Sequence, residues 1–295
     1  MKILITGANG FLGYYLAQQL LQNRHQVIAT GRGNCRLPFG NIPGFEYATM
    51  DFTDPFAVHD VFEKYKPGAV LHLGAMSKPD ECEQNQWPAY TVNVEGTVTM
   101  LLNAAACKSF FVFLSTDFVF DGLKGMYRED DLPGAVNFYG KTKVEAEEAV
   151  NEYEYPWAVV RTVLVYGKSY SGRGNILTVV KDKLEKGEEY SVFTDQLRTP
   201  TYVEDLVSGI MTILEKKATG IYHLSGAEPL TPYEMACMTA DHLRLDKSFI
   251  KKVTASEFPQ PAKRPSKTTF NIEKAKKELD YKPVSFKEGL KKTFS

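Results

Sequence analysis

Through about the first 165 residues, short and almost continuously apolar runs alternate with longer stretches in which apolar positions recur at helical spacing. Runs of the first kind are the mark of strands buried on both faces, and the alternation predicts a parallel sheet covered by helices on both sides. Strands are expected at Lys2–Thr6, Gln26–Thr30, Phe45–Met50, Ala69–Leu73, Phe110–Ser115 and Trp157–Thr162. Helices are expected between them, at Phe11–Asn23, Pro55–Tyr65, Trp87–Cys107 and Asn137–Glu154. The fold class this predicts is α/β, built on a doubly wound parallel sheet.

Beyond Tyr166 the rhythm loosens. Gly and Ser crowd Gly167–Gly174, a helix is expected at about Ile176–Lys186, and a polar loop follows at Thr194–Thr201. Glu204–Lys216 and Gly220–Leu224 again read as helix then strand, which predicts that residues 202–226 return to the sheet. The last expected helices are Tyr233–Leu243 and Ile272–Leu279, and the proline-bearing segment Ser256–Lys267 reads as a surface loop.

Composition narrows the function classes. The 295 residues are 43% apolar and 24% charged, enough to bury a large core and too apolar for a disordered chain. Thirty-five basic against 36 acidic residues leave a formal net charge of −1, so no global field draws the chain to nucleic acid or to an anionic membrane, and neither is expected as a partner. Cys35, Cys82, Cys107 and Cys237 are scattered without a C-x-x-C pair, and the five histidines make no ligand-like spacing with them. The expectation is a protein without metal in a reducing, cytoplasmic setting. No apolar run approaches the roughly 18 residues that a membrane span needs, and the first strand begins at Lys2, which leaves no room for a signal peptide.

The first strand runs into Thr6-Gly7-Ala8-Asn9-Gly10-Phe11-Leu12-Gly13, a G-x-x-G-x-x-G turn opening a helix. Gly7 permits the tight turn, Gly10 lets backbone approach a pyrophosphate, and Gly13 lets helix pack on strand while the helix amides face the anion. This predicts a Rossmann dinucleotide site that also touches Phe11 and Leu12. About twenty residues on, where an acid would bind the ribose of NAD, the second strand ends in Thr30-Gly31-Arg32-Gly33. Arg32 in place of that acid points to NADP(H), with NAD(H) as the alternative. Asp51 and Phe52 at the end of the third strand and Gly74 and Ala75 after the fourth lie where a cofactor would run. Asp54, just before Pro55, reads instead as a helix cap, and His72 as a core histidine.

Thr116 ends the fifth strand, and Tyr139-Gly140-Lys141-Thr142-Lys143 follows at the start of a helix. Tyr139 and Lys143, four apart, share one helical face, where an ammonium favours the phenolate. Such a pair can hand a proton to a carbonyl-derived oxygen or take one from it, with Thr116 as a hydrogen-bond partner.

The glycine turn, the strand end Ser115-Thr116-Asp117-Phe118-Val119-Phe120-Asp121-Gly122 and Tyr139–Lys143 resemble the extended short-chain dehydrogenase/reductase family over nearly the whole chain. Together with Arg161-Thr162, Tyr166-Gly167, Asp195-Gln196, Arg198-Thr199-Pro200-Thr201 and Arg264-Pro265, they are most similar to dTDP-4-dehydrorhamnose reductases. The resemblance implies residues 1–166 as an NADP-binding Rossmann domain and 167–295 as a substrate lobe interleaved with it. It further implies hydride delivery to C4 of a 4-keto-deoxy sugar nucleotide, with catalytic Thr116, Tyr139 and Lys143. Asn93 would support a proton-relay water on the cofactor side in such a protein, the alternative being a helix-interior polar residue bonded to backbone. Lys78, Asn175, Gln196 and Arg198 are the expected substrate contacts among loop residues that, with Arg173, carry no spacing code; Arg198 reads as a diphosphate clamp or else as a solvated arginine. Phe118, where related dehydratases carry an acid, disfavours water elimination. His72-Leu73-Gly74-Ala75-Met76-Ser77-Lys78 and Val163-Leu164 depart from the reductase pattern and are similar to the regulatory β subunit of methionine adenosyltransferase. A cofactor-binding regulatory subunit therefore stands as an alternative; a nucleotide-sugar epimerase is a second, although epimerases usually carry Ser/Ala-rich sequence in place of Thr116-Asp117, and a monomer or homodimer is expected.

Overall fold

The computed structural model describes residues 1–295 except 171 and 173. The first half runs β1 (Lys2–Thr6), α1 (Phe11–Gln22), β2 (Gln26–Gly31), β3 (Phe45–Thr49), α2 (Pro55–Tyr65), β4 (Ala69–His72), α3 (Pro79–Gln84), α4 (Gln86–Tyr90), α5 (Gly96–Ala106) and β5 (Phe110–Thr116). It continues with α6 (Phe138–Asn151), β6 (Trp157–Thr162), β7 (Val165–Tyr166), α7 (Ile176–Glu185), β8 (Tyr190–Phe193), β9 (Thr201–Tyr202) and α8 (Val203–Lys216). The chain closes with β10 (Gly220–His223), α9 (Pro232–Leu243), β11 (Ile250–Val253), α10 (Glu273–Leu279) and α11 (Phe286–Phe294).

Seven strands form one sheet in the order β10-β6-β5-β4-β1-β2-β3, every neighbouring pair parallel. The chain winds from β1 out to β3, then resumes at β4 on the other flank of β1. Ligands of open α/β sheets bind at such a reversal, beyond the carboxyl ends of the strands. Successive side chains of a strand face opposite ways, and in β1 both faces are dry. Ile3 and Ile5 pack with Leu16 and Leu20 of α1 and Ile210 of α8, whereas Leu4 packs with Val58 and Phe62 of α2, Met100 of α5 and Val150 of α6. Each such fully buried side chain contributes about 1.5–3 kcal/mol, and this two-sided burial is why the strands read as unbroken apolar runs.

A smaller apolar cluster of Val180 and Leu184 (α7), Val192 (β8), Ala236 and Ala240 (α9) and Ile250 (β11) lies apart from the main core, where β8 and β11 pair in parallel. Short strands β7 and β9 form a second pair. These four, with α3 and α11, are absent from the sequence-based expectation because segments of two to nine residues carry little periodicity of their own. The expected single helix Trp87–Cys107 is interrupted by a π turn over Thr91–Glu95, a distortion common near functional sites.

Asp54 does cap α2, accepting hydrogen bonds from the Phe56 and Ala57 amides at 2.9 and 3.3 Å, with Pro55 in the first turn. Asp54→Ala is expected to cost about 1 kcal/mol, measurable by chemical denaturation. His72 is a core residue, bonded to Thr6 Oγ1 at 2.8 Å and Thr97 Oγ1 at 3.2 Å. Burial, reinforced by the Lys143 charge, pushes its imidazole down to about 3, so it is neutral. Among the described residues no helix is long and apolar enough to cross a membrane, and no His, Cys, Asp or Glu cluster could hold a metal ion.

Candidate active site

The carboxyl ends of β1 to β6 border one cleft of about 1090 Å³. On its floor Gly7 takes a left-handed conformation (φ +65°), and a Cβ there would stand 3.1 Å from the Gly74 amide nitrogen. The ends of β1 and β4 thus meet backbone to backbone. A Cβ on Gly13 would stand 2.5 Å from the Ala8 carbonyl oxygen, so only glycine lets α1 sit this close to the turn. Gly10 is the N-cap of α1 and supplies no side-chain cap, which leaves the first-turn amides facing the cleft with the positive end of the helix dipole.

Past β2 two cations line the cleft, the expected Arg32 and also Arg36. Arg36 is held by Asn9, whose Oδ1 accepts from the Arg36 amide at 2.9 Å and whose carbonyl accepts from Nη2 at 3.3 Å. Sequence reasoning stopped at the first cation; the second, four residues on in Arg32-Gly33-Asn34-Cys35-Arg36, was the available signal. Asp51, which accepts from the Thr53 amide at 3.0 Å and hydroxyl at 2.8 Å, lines the same wall with Phe52, Gly74 and Ala75. An uncapped helix start, a glycine cradle and cations without a strand-end acid fit a dinucleotide with an extra phosphate.

Opposite this wall α6 begins at Asn137, whose Oδ1 accepts from the Gly140 amide at 2.9 Å. Tyr139, Lys143 and Thr116 all line the cleft. The Tyr139 ring stacks edge-on against Phe118 at 6.0 Å and packs on Cys82 and Ala89. Lys143 Nζ donates to the Leu114 carbonyl at 2.8 Å and lies 3.7 Å over the Phe113 ring. Burial pushes this amine down to about 7, opposed by the Glu147 carboxylate. Thr116 Oγ1 donates to Asp117 Oδ1 at 3.1 Å and accepts from the Phe118 amide at 3.2 Å. Burial pushes the Asp117 carboxyl up, against the pull of Arg198, Thr268 and Thr116.

The other expected site residues divide. Lys78 and Asn175 line the cleft. Asn175 also caps α7, accepting from the Leu177 amide at 3.1 Å, and donates to the Gly167 carbonyl at 2.7 Å. Gln196 and Arg198 do not line it. Arg198 is buried and its guanidinium donates to the carbonyls of Leu197, Ser266 and Pro265 at 2.9, 3.2 and 2.7 Å, with Asp117 at 3.6 Å. The polar loop is polar because it bonds inward to the 265–266 backbone, so both Nη groups of Arg198 are engaged by the protein and its guanidinium faces Asp117 from behind the cleft lining in this arrangement. Asn93 likewise sits behind the wall: its amide bonds the Met76 N–H and C=O at 2.8 and 3.0 Å and Thr142 Oγ1 at 3.0 Å, bracing the β4 end against α6. Arg173 lies outside the described residues.

The family model described as RmlD substrate binding domain matches residues 1–295. The chain belongs to this family. The chain is similar both to a methionine adenosyltransferase subunit and to a sugar-nucleotide reductase. The chain is 33% identical to methionine adenosyltransferase 2 subunit beta of Bos taurus over 261 residues, covering 86% of this chain and 76% of that protein. It is 28% identical to dTDP-4-dehydrorhamnose reductase of Aggregatibacter actinomycetemcomitans over 304 residues, covering 98% and 97%. The crystal structure of dTDP-4-dehydrorhamnose reductase from Bacillus anthracis str. Ames in complex with NADP superposes with a TM-score of 0.85 at 26% identity, covering 99% of this chain and 98% of that one. The resemblance drawn from the motifs is thus borne out, including its two-sided character.

Proposed function

We propose that this RmlD-family chain is an NADP(H)-dependent reductase of a 4-keto-deoxy sugar nucleotide. The observation that carries this reading is that one cleft joins the glycine cradle, the Arg32 and Arg36 cations, and the Thr116, Tyr139 and Lys143 side chains. Gly7, Gly10, Phe11, Leu12 and Gly13 would hold the pyrophosphate, Arg32 and Arg36 the 2′-phosphate, and Asp51, Phe52, Gly74 and Ala75 the remaining cofactor wall. The reduced nicotinamide, when bound, supplies the hydride. Tyr139 donates the proton that the new alkoxide requires, Thr116 orients the carbonyl oxygen, and Lys143 holds the nicotinamide ribose and favours ionisation of Tyr139. Lys78 and Asn175 reach the sugar nucleotide. The reading includes a cytoplasmic setting and a monomer or homodimer.

The test is oxidation of NADPH with dTDP-4-dehydrorhamnose as first substrate, within a panel of keto-sugar nucleotides. Turnover supports the reductase; isomerisation without net NADPH consumption would mean an epimerase. The 33% identity to a methionine adenosyltransferase β subunit favours a second reading, a cofactor-binding regulatory chain. Stoichiometric capture of methionine adenosyltransferase with no NADPH oxidation across the panel would establish it. Cofactor choice gives a further check. Because a charge-assisted hydrogen bond is worth about 1.5–3 kcal/mol, the Arg32→Ala/Arg36→Ala double variant is expected to weaken NADPH binding about tenfold or more while leaving NADH binding unchanged, read by fluorescence titration. Equal losses for both cofactors would remove the arginines from the 2′-phosphate.

A further inference from the structure

Tyr139, Lys143 and Glu147 stand one helical turn apart on a single face of α6, and all three are buried. The end of β5 meets this face residue by residue. The Leu114 carbonyl accepts from Lys143 Nζ at 2.8 Å, the Ser115 hydroxyl donates to Glu147 Oε1, and Thr116 lines the cleft beside Tyr139. From β6, Arg161 grips both carboxylate oxygens, with Nε 3.1 Å from each and Nη2 2.6 Å from Oε2. Arg161 is 2% exposed and Glu147 6%. Burying an ion pair this deeply carries a desolvation penalty that apolar residues of similar volume would avoid, so space filling alone does not account for it.

Glu147, one turn on along the same face, is the carboxylate that favours the Lys143 ammonium, and the Arg161 guanidinium bound to it is the positive charge that opposes this. His72 of β4 is neutral, Asp117 at the end of β5 is bonded to Thr268 and faces Arg198, and Glu83 of α3 accepts from the Phe138 amide. Cys82 of α3 is held up by burial, and so stays a neutral thiol. Arg161 and Ser115 fix the direction in which the Glu147 carboxylate points. We infer that Glu147, clamped by Arg161 and Ser115, is a positioning residue that holds the Lys143 side chain as an ammonium at the end of β5, where Tyr139 and the cofactor would meet it. The inference rests on the reductase reading for its purpose, though its physical content concerns Lys143 alone.

The experiment is an NMR titration of the protein labelled with 13C-lysine, following the Lys143 ε-carbon, which is assigned by its disappearance in Lys143→Arg. An opposite charge about 4–6 Å away shifts an ionisation by about 1–3 pH units. Glu147→Gln is therefore expected to lower the Lys143 midpoint by about one pH unit or more. Because that variant leaves Arg161 unpaired, Glu147→Gln/Arg161→Met is titrated beside it; it holds no orphaned charge and keeps a partner for Ser115. A midpoint below wild type in both variants supports the inference. An unmoved midpoint in Glu147→Gln, or a return to the wild-type value in the double variant, overturns it, since the shift would then belong to the orphaned guanidinium. The ammonium is lost as pH rises through its midpoint, so in a turning-over reductase the basic limb of the kcat profile moves to lower pH by the same amount. Failure of the reductase reading is distinguishable: it appears as no turnover in the unsubstituted protein, with the titration result standing.

Discussion

Tyr139→Phe is expected to lower kcat for NADPH-dependent reduction by about two to four orders of magnitude, the contribution of a positioned proton donor, with NADPH affinity and fold unchanged. Only the hydroxyl is removed. The ring that remains still packs on Cys82 and Ala89 and stacks edge-on against Phe118 at 6.0 Å, so the first turn of α6 has no reason to move. Removing an interaction made only in the transition state lowers kcat and kcat/KM together and leaves KM nearly constant. Steady-state NADPH oxidation and a fluorescence titration of NADPH binding check both halves. Full turnover in the variant would remove Tyr139 from the chemistry, and with it the reason for placing Lys143 one turn away. In a regulatory chain the same substitution would change neither capture of the partner enzyme nor cofactor affinity, so the variant also separates the two readings.

The half of the molecule around β1 to β6 was legible because its strands are buried on both faces and its helices on one, which writes two different periods into the chain. The glycine turn was legible because strand, turn and helix are contiguous. The chain beyond Tyr166 was harder. Its β8–β11 pair joins Tyr190–Phe193 to Ile250–Val253 across a long stretch of sequence, and four-residue strands have no period to detect. Arg198 shows the sharper limit. A polar loop is written the same way whether it faces a ligand or the backbone of a distant loop, and the carbonyls that take up its guanidinium belong to Pro265 and Ser266. Arg264 in that distant loop bonds Asp80 on α3 at 2.8 Å, a pairing equally invisible in sequence. Asn93 was ambiguous for the same reason: its partners Met76 and Thr142 come from two other elements.

Gly140→Ala offers a test in which local propensity and tertiary packing predict opposite signs. Gly140 lies inside α6, and at an ordinary helical position alanine is favoured over glycine by about 1 kcal/mol. Here a Cβ would stand 2.1 Å from the Phe118 carbonyl oxygen and 2.9 Å from the Ala135 Cβ. The first of these is backbone in the tight turn Asp117–Val119 that follows Thr116, so no side-chain rotation relieves it. To admit the methyl group, α6 must back away from the end of β5. Forcing extra volume into a packed site costs about 1–3 kcal/mol, occasionally more, and the expected net loss of stability is about 2 kcal/mol, seen as a lower denaturant midpoint at unchanged slope. The same retreat carries Tyr139 and Lys143 away from Thr116, and because a misplacement of about 1 Å can cost about 100-fold in rate, kcat is expected to fall by at least about tenfold. A more stable Gly140→Ala protein with unaltered turnover would mean that the close seat of α6 on Phe118 is not what brings the three cleft residues together.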